Sequence, residues 1–499
     1  MRASIATLCT LRARLTEKGK RMKKNSSVLI IYNARLVDSK IDSPGMVIVA
    51  DGKIRGLALG ECKKAKKALL YASAFLSEGE RGANPEFFDA KGLTLMPSFV
   101  DLHAHFRYPG QTQKEDLDSG LAAAVAGGYG TVVLMPNTSP VISEREAAQK
   151  VMDEANSKNL ARIFQTVSIT KNFEGADTSG IDPLTASEFP VISEDGHDVE
   201  SAAVMLGGMK KAGEKNIIVS CHCEDPSLAL SAKPYRQRAL GFMEQYGIPA
   251  GKVSVETPDV PKAINFEIDG NLTKANSLLA LAEDVATIRN IEIAKTAGCH
   301  VHICHCSTKT SMDAVRRAKA EIAAEKAGNG FECTVEVTPH HLALVGTDAP
   351  NIRALVNPPL RSEDDRRALI DALRDGTADA IATDHAPHTM EDKAKGSPGF
   401  TGIETSFAVC NTILVKKEGF TLSKLSRLMS ENPAKLLRIK SGRLATDYNA
   451  DLVLVNPDEK WTVSGESFAS KGKSTPLEGK TLTGKVRATF FGGKLVYGG

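Results

Sequence analysis

The chain has 499 residues, 42% of them hydrophobic and 25% charged, and a formal net charge of +3. Such a chain can bury a large core. The small charge, with no basic face interleaved with aromatics, excludes a nucleic-acid binder as the first reading, and no apolar run reaches the roughly 18 residues that a membrane span needs. Nine cysteines without disulfide-type spacing point to a reducing compartment, so a cytoplasmic enzyme with one large and one smaller domain is expected.

Residues 1–26 carry eight Lys or Arg against one acid, Glu17, and are read as a basic extension outside the fold, with Met22 as an internal candidate start. From 27 to 92 short alternating runs, Val28 to Val37 and Met46 to Arg55, predict β-strands joined at Asp51-Gly52. From 93 to 440 apolar strand-like runs alternate with amphipathic helices such as Leu121 to Gly127, Glu144 to Ser157 and Ser311 to Lys326. This alternation predicts a (β/α)8 TIM-type barrel, whose active site lies at the carboxyl ends of its strands. Two segments, 63–85 and 228–275, interrupt the pattern with Gly, Pro and Lys and are read as loop elaborations. Residues 441–499 return to strands, with a Gly492-Gly493 hairpin. The two ends are expected to pair into one small β-sandwich.

His103-Ala-His105 follows an apolar run, and alternation on a strand puts both imidazoles on one side, about 7 Å apart along the chain. Two further apolar runs end at His222 and His305, and a fourth ends at Asp384. Four strand ends thus carry side chains that bind transition metals. Cys221 and Cys223 flank His222, and Cys304 and Cys306 flank His305; alternation predicts that all four thiols face away from the histidines, toward packing helices.

Taken together, Val100-Asp-Leu-His-Ala-His-Phe-Arg-Tyr-Pro-Gly110, Met135-Pro-Asn-Thr138, Val301-His-Ile-Cys-His-Cys-Ser-Thr308, Asn357-Pro-Pro-Leu-Arg361 and Ile381-Ala-Thr-Asp-His-Ala-Pro-His388 resemble class I dihydroorotases of the amidohydrolase superfamily. The likeness runs from Ser27 to Gly499 and includes Ser470-Lys-Gly-Lys-Ser-Thr-Pro476. It implies two metal ions, usually zinc, one held by His103, His105 and Asp384 and the other by His222 and His305. Val191-Ile-Ser-Glu-Asp-Gly196 resembles the family's Phe-Ser-Asp-Asp-Gly and implies Asp195 as the bridging ligand, with Glu194 departing from the first Asp of the pair.

The resemblance further implies hydrolysis of dihydroorotate to N-carbamoyl-L-aspartate in pyrimidine biosynthesis, with Asp384 as general acid/base. Arg107 is suited to grip a carboxylate bidentately, and by resemblance Asn137, Asn357 and His388 complete the substrate contacts. Gly399-Phe-Thr-Gly-Ile-Glu-Thr405 resembles the family's substrate lid. Phe106 and Tyr108, either side of Arg107, depart from the pattern. A homodimer, and association with an aspartate carbamoyltransferase, are the partners the family suggests. The rival readings are another cyclic amidohydrolase, such as a dihydropyrimidinase, hydantoinase or allantoinase, and an inactive structural partner that has lost turnover.

Overall fold

The computed structural model describes residues 28–77, 80, 84–247, 260–324, 330–346 and 355–498. The basic extension, residues 1–26, lies outside them.

The first strands, β1 (Val28–Val37), β2 (Asp42–Ala50) and β3 (Lys53–Leu59), form an antiparallel meander. Asp51 and Gly52 both take positive φ between β2 and β3, as a two-residue turn requires. Short strands β4 (Glu86–Asp89) and β5 (Thr94–Pro97) run parallel to β1. At the other end of the chain, β14 (Leu452–Thr462), β15 (Thr481–Phe491) and β16 (Lys494–Gly498) form a second meander, turned at Gly492-Gly493. β14 pairs antiparallel with β5, so the two ends make one eight-stranded sheet. Leu29, Ile31, Val47 and Val49 share a buried cluster with Leu452, Leu454, Ala488 and Phe490, which gives the folded sheet its sandwich core.

Between the ends lie eight parallel strands: β6 (Phe99–Ala104), β7 (Tyr129–Leu134), β8 (Arg162–Gln165), β9 (Val191–Ser193), β10 (Ile218–Cys221), β11 (His300–Ile303), β12 (Glu332–Val337) and β13 (Ala380–Ile381). They pair in two runs, β6-β7-β8 and β9 through β13. Two contacts close the ring: a parallel bridge between Ala104 and His385, and a bond from Ser193 N to Val167 O at 3.1 Å. Each seam joins the last residue of one strand to a residue past the end of another. The chain is thus a (β/α)8 barrel with a small terminal β unit, as the alternation predicts.

The helices expected from the sequence are Leu117–Ala126, Arg145–Ser157 and Lys309–Ala324, the last reaching to the edge of an undescribed stretch. The two segments read as loops are corrected in part. Ala65–Ala72 is a helix whose Ala68 and Ala72 pack with Val28, Ile30 and Ile48. The second segment holds most of a helical hairpin, Pro226–Gln245 and Lys262–Ala297, with 248–259 outside the described residues. Its prolines misled because Pro261 stands at an N-cap, where a missing N–H costs nothing, and Pro234 is carried inside the first helix.

A candidate binuclear metal centre at the barrel rim

Three site residues leave their strands through the left-handed region: Arg107 at φ 56°, His305 at 32° and Asp384 at 46°. Each such turn costs a non-glycine residue of order 1–3 kcal/mol and re-aims a side chain that extended backbone would point elsewhere. His305 shows the effect. On β11, His300 and His302 face the barrel interior, bonding Thr334 and Glu336 of β12, so plain alternation continues inward with Cys304. His305 reaches the interior only through its left-handed turn. The expectation that all four flanking thiols face the helices is therefore corrected for Cys304, which packs inside against Ser220 Oγ at 2.8 Å and is pushed up to about 12 by burial. Cys223 does face the helices, 3.7 Å from Asn290 Nδ2.

The six proposed ligands come together at the carboxyl end of the barrel. Asp195 is the centre: its Oδ1 lies 3.2 Å from His103 Nε2, 3.3 Å from His222 Nδ1 and 3.6 Å from His305 Nε2, and its Oδ2 is 3.5 Å from His105 Nε2. Asp384 Oδ1 is 3.2 Å from His105 Nε2 and 3.7 Å from His103 Nε2. His103, His105 and Asp195 form one set of converging donors, and Asp195, His222 and His305 another. Sharing Asp195 between the sets is the arrangement a bridging carboxylate needs. Burial alone would raise Asp195, but His103, His222 and His305 hold it well below the usual carboxylate range.

Glu194 takes no part. It turns away to accept from Thr170 N at 2.9 Å and from Thr170 Oγ1, and burial pushes it up to about 7.

The donor set fits a pair of divalent ions. His103 Nε2 and Asp195 Oδ1 are buried, face one another, and have no well-aligned hydrogen-bond partner among the described residues. Such atoms are costly unless something binds them. The set is nitrogen and carboxylate oxygen, which suits zinc and its neighbours. The second ring nitrogens of His103 and His105 are held from behind, as ligating histidines require. Glu336, buried in the middle of β12, sits 3.2 Å from His103 Nδ1 and 3.1 Å from His302 Nε2. Asn137 Oδ1 is 2.9 Å from His105 Nδ1, and Asn137 Nδ2 donates to Asp195 Oδ2 at 3.2 Å. Asn137 thus spends most of its amide on the ligands and keeps one N–H for anything in the cavity.

A cavity of about 210 Å³ opens over this cluster, lined by His105, Asp195, His222, His305 and Asp384 on one side and by Arg107, Asn137, Asn357, His388 and Ser397 to Gly399 on the other. Arg107 Nε donates to Pro387 O at 3.3 Å, and its Nη2 donates to His388 Nε2 at 3.1 Å. A guanidinium only donates, so His388 accepts through Nε2 and is neutral; burial, then Arg107, pushes its imidazole down to about 2. Burial lowers Arg107 to about 10, still cationic at neutral pH, with Asp384 and Asp195 acting against that fall. Phe106 is buried against Gly120, and Tyr108 Oη donates to Glu154 Oε2 at 2.8 Å, so the two departures beside Arg107 point out of the cavity.

His341 and His385 make contacts away from the donor cluster. His341 bonds Thr338 Oγ1 and the carbonyls of Pro358 and Pro359, and His385 Nε2 lies 3.4 Å from Glu115. Sequence reasoning missed Glu336, Arg236 and Lys393. Lys393, fully buried, donates to the carbonyls of Leu355, Ser397 and Gly399 and so pins a loop that lines the cavity.

A parallel barrel that gathers imidazoles and carboxylates at the ends of its strands has the architecture of a metal-assisted hydrolase. Residues 94–496 match the amidohydrolase family, and the chain belongs to that family. It is 38% identical over 470 residues to a dihydroorotase of Clostridium botulinum, covering 94% of this chain and 99% of that one. It is 37% identical over 423 residues to a dihydroorotase of Bacillus subtilis, covering 83% and 89%. Among solved structures, the L-hydantoinase (dihydropyrimidinase) of Arthrobacter aurescens superposes with a TM-score of 0.72 at 23% identity, over 94% of this chain and 96% of that one. That likeness concerns the fold.

Proposed function

We propose that the protein is a dihydroorotase, hydrolysing (S)-dihydroorotate to N-carbamoyl-L-aspartate and catalysing the reverse closure, the third step of pyrimidine biosynthesis. The observation that carries this is the position of Arg107, buried beside neutral His388 on the wall of the cavity that also holds the donor cluster. A substrate with a carboxylate and a cyclic amide spans the two. The identity to proteins named dihydroorotase supports the same reading.

His103, His105 and Asp384 would hold one zinc ion and His222 and His305 the other, with Asp195 between them. Two such ions supply Lewis-acid polarisation of a carbonyl and a lowered pKa for water. The chain's residues do the rest. Arg107 and His388 fix the substrate carboxylate and so place the ring amide over the cluster. Asp384 takes the proton of the attacking water as the C–O bond forms and returns it to the ring nitrogen as the C–N bond breaks. His105 and His103 keep Asp384 ionised: against burial, they hold its carboxyl far below the usual range.

The hydantoinase fold likeness keeps a second cyclic amide in view. Arg107 favours dihydroorotate, since hydantoin and dihydrouracil carry no carboxylate for it. Bound metal and the turnover of dihydroorotate, dihydrouracil and hydantoin, measured on one preparation, decide between them. Turnover of dihydrouracil without dihydroorotate would overturn the substrate assignment, and folded protein with metal but no turnover of any of the three would favour a structural partner.

A further inference from the structure

We propose that Arg236, on the helix Pro226–Gln245, sets the polarity of the substrate subsite at Asn357, fixing it as a hydrogen-bond donor that donates to a carbonyl or carboxylate oxygen and rejects an N–H. The inference rests on the reading of Asn357 as a substrate contact and names what that contact selects.

Arg236 Nη1 donates to Asn357 Oδ1 at 2.6 Å, and Arg236 Nη2 donates to Val356 O at 3.3 Å. A guanidinium has donors and no acceptor, so the amide oxygen, and never the amide nitrogen, must face it. This assignment follows from chemistry alone. With Oδ1 held by a charge-assisted bond, the NH2 is what Asn357 offers the cavity it lines. Among the described residues Asn357 Nδ2 donates to no protein acceptor. Arg236 keeps its charge at neutral pH: burial lowers it only to about 10, with Glu224 acting to raise it.

The helical hairpin inserted after β10 thereby reaches the reaction site. An asparagine free to rotate would bind an acceptor or a donor with little preference; one locked by Arg236 discriminates between them. A site whose buried polar group is left unpaired by the wrong ligand discriminates strongly.

The test is a set of KM and kcat values on the substrate that the wild type turns over, with bound metal and thermal melting confirming that each variant is folded and loaded. Arg236→Met should raise KM about tenfold with kcat within about twofold, as expected for loss of one oriented hydrogen bond to substrate. Arg236→Lys, which keeps a cation but cannot hold both oxygens, should fall between. In an Asn357→Ala background Arg236→Met should add less than about twofold, because its effect passes through the missing amide. Asn357→Asp keeps the partner of Arg236 but turns an acceptor toward the cavity, and should bind substrate worse than Asn357→Ala.

An unchanged KM in Arg236→Met, the same rise in both backgrounds, or an Asn357→Asp that binds as well as Asn357→Ala would each overturn the proposal. Should Arg236→Met fail to fold, the Asn357 pair decides alone. If the wild type opens a different cyclic amide, the assignment to dihydroorotate falls, while the same comparison on that amide still decides the polarity of the subsite.

Discussion

His103 faces two carboxylates, Asp195 through Nε2 and Glu336 through Nδ1. The first is the proposed co-ligand, the second a brace. Replacing Glu336 with Gln removes the anion that fixes the ring's tautomer, and metal affinity is expected to fall roughly tenfold to a hundredfold, read by competition with a chromophoric chelator. Asp384 has a different part. Asp384→Asn should lower kcat by about a hundredfold to ten-thousandfold with the melting transition preserved, whereas Arg107→Ala should act mainly on KM. Wild-type rates in the Asp384 variant would sink the proton-transfer role. The six positions proposed as ligands could be brought together from sequence because strand-end His and Asp residues sit in short, patterned runs. Glu336 was not, since its partners lie 233 and 34 residues away and a lone acid in an apolar strand has no motif to announce it. Cys304 was misplaced because one left-handed residue, His305, exchanges which of two neighbours faces inward.

At the scale of elements, alternation gave the barrel and its helices to within a few residues, and the insert was misread because a proline at a helix start, Pro261, and one carried inside a helix, Pro234, resemble prolines in loops. The long helix Lys262–Ala297 is fastened to the site by a buried ion pair. Glu283 accepts from Arg361 Nη2 at 2.9 Å, from Ser307 N at 2.7 Å and from Thr308 N at 3.0 Å, just past His305. Glu283→Ala would strand the Arg361 cation in the interior, and we expect a loss of about 3–5 kcal/mol in urea unfolding. A loss well under 1 kcal/mol would show that water reaches Arg361 there.

For the whole molecule, the terminal sheet and the barrel are tied through Glu404. Its carboxylate accepts from Ala469 N at 2.9 Å and Ser470 N at 3.1 Å, joining the loop after β13 to the Ser470–Pro476 segment. Burial raises it from 4.5 to about 7. The folded protein therefore holds this proton more tightly than the unfolded chain. The stabilising contribution is complete below the unfolded value and is lost as pH rises through about 7. Between about pH 5 and about pH 8 the wild type should lose more unfolding free energy than Glu404→Gln, which carries no titrating proton. Parallel pH profiles for the two would show that the carboxyl is not held protonated.

The pairing of β5 with β1 on one edge and β14 on the other also dictates a timetable. A ribosome delivers β5 early and β14 only after every barrel strand has emerged. Throughout that interval β5 offers an unpaired edge, the kind that captures other chains. The nascent protein must therefore carry an open seam until nearly the end of its synthesis, and a chain released early, before Leu452, leaves that seam to its neighbours.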